Sequence, residues 1–72
     1  MKKKLHPLAV RRLARGRTQA ELASMIGVDV MTISRWERGL HGPQNDSTIA
    51  HLALALALSS RSVRALFEKG GD

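Results

Sequence analysis

Three histidines, His6, His41 and His51, and the adjacent Asp46 and Ser47 are the side chains of this chain whose types could support covalent or metal chemistry. Their spacing supports neither. No histidine has an i, i+4 partner, and the sequence contains no cysteine, so no thiolate is available to complete a zinc site. Asp46-Ser47 followed by His51 reads better as the start of a helix than as a nucleophile with its base. The glycines stand at the ends of apolar-periodic segments and do not form a phosphate-cradling run. The expectation is a protein that is not an enzyme and takes no cofactor and no metal. What remains is the chemistry of charge and hydrogen bonding. The net charge is +6, and it is segregated: residues 1–40 hold nine Lys and Arg against Glu21, Asp29 and Glu37, whereas residues 41–72 hold three of each sign. A one-sided positive field attracts polyanions, either nucleic acid or an anionic membrane surface. Plain solubility is the competing account.

Helices must position these groups, because strand signals are nearly absent: there is no Tyr and β-branched residues form no run. Five are expected. The first runs from about Pro7, acceptable in a first turn, to Arg15, with Gly16 as its stop and Leu5, Leu8 and Leu13 as core candidates. Thr18 with Glu21 three residues later makes a capping box that opens the second helix, whose Leu22, Ala23 and Ile26 share one face and which Gly27 ends. Asp29 is placed to cap the third helix through its side chain and to oppose the positive end of the dipole. Ile33, Trp36 and Leu40 follow at i, i+3 and i+7, and Gly39 closes that helix. Leu40 to Asp46, with Gly42, Pro43 and Asn45, reads as an irregular loop.

A fourth helix should begin at Asp46 or Ser47, with Ile49, Leu52, Ala53 and Leu56 facing inward. The Leu/Ala alternation from Ala53 to Leu58 would also suit a strand, but both residues are strong helix formers. Leu54 and Leu58 are left on a second face, to pack on a fifth helix or on another subunit, and Ser60 to Phe67 supplies that fifth helix with Val63, Leu66 and Phe67. Residues 5–68 form one domain in this reading, after a flexible basic arm (residues 1–4) and before a short tail (residues 69–72). The longest apolar stretch, Leu52 to Leu58, falls far short of the roughly 18 residues a membrane span requires. Arg11, Arg12 and Arg15 interrupt any apolar run after Met1-Lys2-Lys3-Lys4. The absence of cysteine suits a reducing compartment. A cytoplasmic location without membrane contact is expected.

Two short helices, Gln19 to Ile26 and Val30 to Glu37, joined by Gly27-Val28-Asp29, have the layout of a helix-turn-helix. Helices crossing at roughly 90 to 120° leave room only for a small residue at their closest approach, the place of Ala23, and need a positive φ in the turn, the place of Gly27. Leu22, Ile26, Val28, Ile33 and Trp36 then point inward. Arg35 falls opposite Ile33 and Trp36, where a guanidinium can donate two hydrogen bonds to guanine N7 and O6, worth roughly 1 to 3 kcal/mol of discrimination. A solvated arginine or a phosphate contact is the alternative. Val30 and Met31 are apolar where the core does not want both, so they either meet thymine methyl groups or complete the core. Ser34 can bond almost any base edge and names none.

Thr18-Gln19-Ala20-Glu21-Leu22-Ala23 through Ile33-Ser34-Arg35-Trp36-Glu37-Arg38-Gly39 resembles the lambda-repressor-like, or Cro and XRE-type, DNA-binding family of bacteria and phages. The resemblance covers about residues 5–67. It implies an all-α, five-helix domain in which Gln19 grips a phosphate and can brace a recognition-helix side chain. It further implies base reading by Val30, Met31, Ser34 and Arg35, with Thr32 nearer the backbone. Arg12 and Glu37 match an ion pair common in the family. Arg38, His41, Gln44 and Asn45 fall where relatives meet phosphates, and Lys3 and Lys4 would belong to an arm along the DNA. Arg17 stands where the family usually has an apolar residue. The implied function is a transcriptional regulator, a repressor on a palindromic operator. A homodimer is expected, and because helix 4 is apolar on two sides and the end of the chain is uncharged on balance, Leu54, Leu58, Val63, Leu66 and Phe67 are its candidate interface. Alternatives are an antitoxin of the same fold with a toxin protein as partner, and a protein-interaction module using the apolar surface of helices 4 and 5.

Overall fold

The computed structural model describes residues 4–68; Lys3 and the tail at 69–72 lie outside the described residues. Five helices follow in order: α1 (Pro7–Ala14), α2 (Gln19–Ile26), α3 (Val30–Glu37), α4 (Asp46–Leu56) and α5 (Ser60–Leu66). Among the described residues there is no strand, and no single helix is long and apolar enough to cross a membrane.

Four of the five helices begin where a side chain satisfies an orphan backbone donor. Thr18 accepts from the Glu21 N–H while the Glu21 carboxylate accepts from the Thr18 N–H, a complete capping box. Asn45 accepts from the Thr48 N–H ahead of α4, and Ser59 accepts from the Ser62 N–H ahead of α5. His6 caps α1 through Nδ1, which accepts from the Leu8 N–H at 3.0 Å. Asp29 departs from the expectation. It occupies the N-cap of α3, but its side chain makes no capping hydrogen bond; its contribution is the backbone carbonyl, which accepts from the Thr32 and Ile33 N–H groups.

Helix ends share one device, in which the chain turns through a left-handed residue and the next N–H reaches back five residues. It occurs at Gly16, Gly27, Gly39 and, without glycine, at Ala57, whose φ is 58°. There the Leu58 N–H donates to the Ala53 carbonyl at 2.9 Å.

The core is assembled from one fully buried side chain per helix: Leu8, Leu22, Ile33, Leu52 and Val63. Ala23, Ile26, Trp36, Ile49, Ala53, Ala55 and Leu56 complete it. Three sequence expectations need correction, and one open alternative closes. Leu5 and Leu13 are exposed, because the inward face of α1 is taken by Leu8, Ala9 and the half-buried Arg12. Leu40 is exposed, because helical periodicity stops at Glu37 and the chain turns away at Gly39. Val63 belongs to the core of the monomer and has no surface to offer a partner. Val30 and Met31 are exposed, so neither completes the core. Leu58, Leu66 and Phe67 are partly buried against the core, and the Phe67 ring meets Trp36 edge-on at 5.9 Å. Only Leu54 of the second face of α4 stands well clear, 82% exposed.

A β-carbon in the left-handed region costs about 1 kcal/mol or more that glycine avoids. Ala57→Gly is therefore expected to stabilise the domain by about 1 kcal/mol and raise the thermal midpoint by roughly 4–8 °C. A calorimetric midpoint that falls would contradict this account of the α4 end.

Candidate nucleic-acid interface

Between α2 and α3 the chain reverses through Gly27, at φ 75°. Both the Gly27 and the Val28 N–H groups donate to the Ala23 carbonyl. Ala23 is 3% exposed and lets the two helices approach, whereas Gly27 lies at the surface with open space where a β-carbon would stand. The demand on Gly27 is its backbone conformation, not room. Val28, next to it, packs against the core.

With Ile33 and Trp36 buried and Thr32 and Glu37 half-buried, the opposite side of α3 carries Val30, Met31, Arg35 and, just past its end, Arg38, all exposed. Ser34 is half-buried at the margin. Met31, Arg35 and Arg38 are spaced i, i+4 and i+7 and so make one outward line. Neither Arg35 nor Arg38 forms an ion pair among the described residues, where the pairs are Arg12–Glu37 and Arg64–Asp46.

The inner edge of α3 is fixed by a polar cluster. Arg12 Nε donates to Glu37 Oε2 at 2.6 Å and Arg12 Nη2 to Oε1 at 3.1 Å. Gln19 Nε2 also donates to Glu37 Oε1, at 2.9 Å. The remaining Arg12 nitrogen, Nη1, donates to the Arg17 carbonyl at 2.8 Å. The Arg12 and Glu37 side chains are 11% and 7% exposed. Their forked geometry supplies the directional bonds that a desolvated charge pair requires. One carboxylate thus ties α1 and the first residue of α2 to the last residue of α3. Arg17, where the resemblance puts an apolar residue, contributes its backbone carbonyl while its side chain stays exposed.

Beyond α3 an open cleft of about 320 Å³ lies between that helix, the loop after it and the start of α4. Thr32 and Arg35 reach it from the helix, and His41, Gln44 and Asn45 from the loop, with Trp36 on its apolar side. Asn45 has a local task as well, since its Oδ1 caps α4. Sequence reasoning missed Val28, Gly42 and Thr48, which also line the cleft; the Asn45-x-x-Thr48 capping spacing was the one signal pointing to Thr48. Space is tight at Gly42, where a β-carbon would stand 3.1 Å from the Phe67 ring and the ring would have to give way by a few tenths of an ångström. Gln19 is not part of this cleft, lying with Glu37 instead. Lys4 is exposed ahead of α1. No cluster of three or more His, Cys, Asp or Glu able to hold a metal occurs among the described residues.

Arg12→Ala leaves the Glu37 charge buried with only Gln19 beside it. The expected cost is about 3 kcal/mol, against less than about 1 kcal/mol for Arg64→Ala, whose pair with Asp46 is exposed. Urea denaturation of the two variants measures the contrast. Equal midpoints would contradict a structural role for the buried pair.

The sequence model of the helix-turn-helix family matches residues 8–62. No curated protein and no solved structure matches the chain. The family match spans α1 to α4 and enters α5, it includes the whole Ala23–Gly27 elbow and the polar cluster on Glu37, and the observed architecture is all-α with five helices; the chain therefore belongs to the helix-turn-helix family in its lambda-repressor-like, XRE-type form, a family of DNA-binding regulators.

Proposed function

We propose that the protein is a transcriptional repressor that binds a palindromic DNA operator as a homodimer, with α3 in the major groove. One observation carries this reading: the outward line of α3, Met31 to Arg38, is uncovered by the rest of the described chain while its opposite edge is bolted to α1 and α2 through Glu37. A helix held this way can enter a groove without losing its orientation. Arg35, from the middle of that line, reads guanine by paired donation to N7 and O6. Gln19, with one amide hydrogen taken by Glu37, turns its second toward a phosphate. Arg38, His41, Gln44 and Asn45 line the adjacent backbone, Thr32 sits at its edge, and Lys4, with Lys3 before it, lies along the duplex. Such contacts set position and affinity without naming a sequence.

Two half-sites about 34 Å apart on one face of the duplex supply the specificity that one small module lacks. Leu54 is the centre of the proposed dimer surface, being the most exposed large apolar side chain among the described residues, with Leu58 beside it and the partly buried Leu66 and Phe67 at its margin. Occlusion of a promoter by such a dimer is the simplest route to regulation, and the cytoplasm is the location proposed with it.

Arg35→Ala is expected to relax preference at one base pair of each half-site, and Gln19→Ala to weaken all sites alike. Selection from a random duplex library distinguishes the two; an unchanged base preference for Arg35→Ala would remove it from the readout. Leu54→Glu is expected to abolish dimerisation in sedimentation at micromolar concentration and to lower affinity for a two-half-site duplex while sparing a single half-site. A wild-type protein that stays monomeric with and without operator would overturn the dimer.

A further inference from the structure

We infer that α3 reads the C5 methyl group of a pyrimidine, so that each operator half-site carries a thymine, replaceable by 5-methylcytosine, within about two base steps of the guanine contacted by Arg35. This rests on the DNA-binding reading above and specifies the chemistry of its target. Val30 is 42% exposed and Met31 52% exposed at the first turn of α3. The core is filled without them, each helix already supplying a fully buried side chain. Single exposed apolar residues are ordinary on a protein surface. These two are adjacent, they open the helix whose outward line continues to Arg35 and Arg38, and both keep about half of their surface open to solvent.

Neither side chain can donate or accept a strong hydrogen bond. Set against the polar edge of guanine, adenine or unmodified cytosine, each would strip water from a donor or acceptor and return nothing. The apolar feature of the major groove is the thymine C5 methyl. A 5-methylcytosine offers the same methyl in the same groove, so a site reading that group cannot separate the two bases by this contact.

The spacing follows from helix geometry. Met31 and Arg35 lie four residues apart, about 6 Å along the helix axis, which spans at most about two steps of about 3.4 Å along the duplex. Met31 lies on the same outward line as Arg35, whereas Val30 falls to its margin, which makes Met31 the principal reader and Val30 its flank. Ser34, half-buried between them, adds a hydroxyl that tolerates any base edge.

The test starts from duplexes selected by the intact protein, with affinity followed by anisotropy of a labelled duplex and folding followed by the fluorescence of Trp36. Thymines in the selected half-site are replaced one at a time by uracil, which removes only the methyl group. Loss of one buried methyl should weaken binding about fourfold at one or two positions. At those positions a 5-methylcytosine·guanine pair should bind about fourfold tighter than unmodified cytosine·guanine. Both differences should vanish in a folded Val30→Ala/Met31→Ala variant. Uracil that changes affinity nowhere, or a variant that keeps the full sensitivity, overturns the inference while leaving DNA binding intact. A library that yields no enriched duplex overturns the DNA-binding reading and this inference with it.

Discussion

Glu37 is the side chain on which the orientation of the outward helix depends. Its carboxylate, almost sealed from water, receives two hydrogen bonds from Arg12 and one from Gln19, and Arg12 is held in turn by the Arg17 carbonyl. Burying a charge in so small a protein is tolerable only if each of its bonding directions is met, and no buried side-chain nitrogen or oxygen among the described residues lacks a partner. The apolar core alone would hold α3 less specifically, because only Ile33 and Trp36 of its eight residues are buried. Apolar packing fixes how close the helix lies. The polar cluster fixes the direction in which it faces.

That arrangement divides α3 into an inner edge committed to the fold and an outer line whose charges are uncommitted. The division runs along the helix as well as around it: Glu37 at the last turn anchors, Val30 and Met31 at the first turn are exposed, and Arg35 lies between. The turn before α3 and the loop after it serve the same end. Gly27 brings the chain round tightly enough for Ala23 to admit the neighbouring helix, and the loop from Leu40 to Asn45 packs back on α5 through Gly42 and Phe67. His41, Gln44 and Asn45 are thereby carried to the same cleft as Thr32 and Arg35.

Most of this was legible in the sequence wherever a local rule decides the structure. Thr18 with Glu21, Gly16, Gly27, Gly39 and the stripe from Ile49 to Leu56 have fixed chemical reasons for their places, and the helices begin and end within a residue or so of them. The misreadings share a different cause. Leu13 and Leu40 look inward on a helical wheel, but the wheel knows neither that Arg12 occupies the inner face of α1 nor that α3 has already ended. Val63 falls among the interface candidates because α4 is apolar on two sides and the end of the chain is uncharged on balance, yet α5 is too short to spare its one deeply placed residue from the core. Asp29 has the right chemistry for a cap and does not use it. Ala57 gives no sequence signal at all, since its left-handed conformation is imposed by where Leu58 must pack.

The central claim is that the outward line of α3, held by Glu37, is the surface that meets duplex DNA. Backbone amide chemical shifts, followed residue by residue while duplex DNA is added to the protein, test it most directly. The account predicts the largest changes from Val30 to Arg38 and from His41 to Asn45, with Gln19 moving alongside. If those amides stay still while the shifts gather instead around Val10 and Leu13 or around Leu54, the assigned interface is wrong.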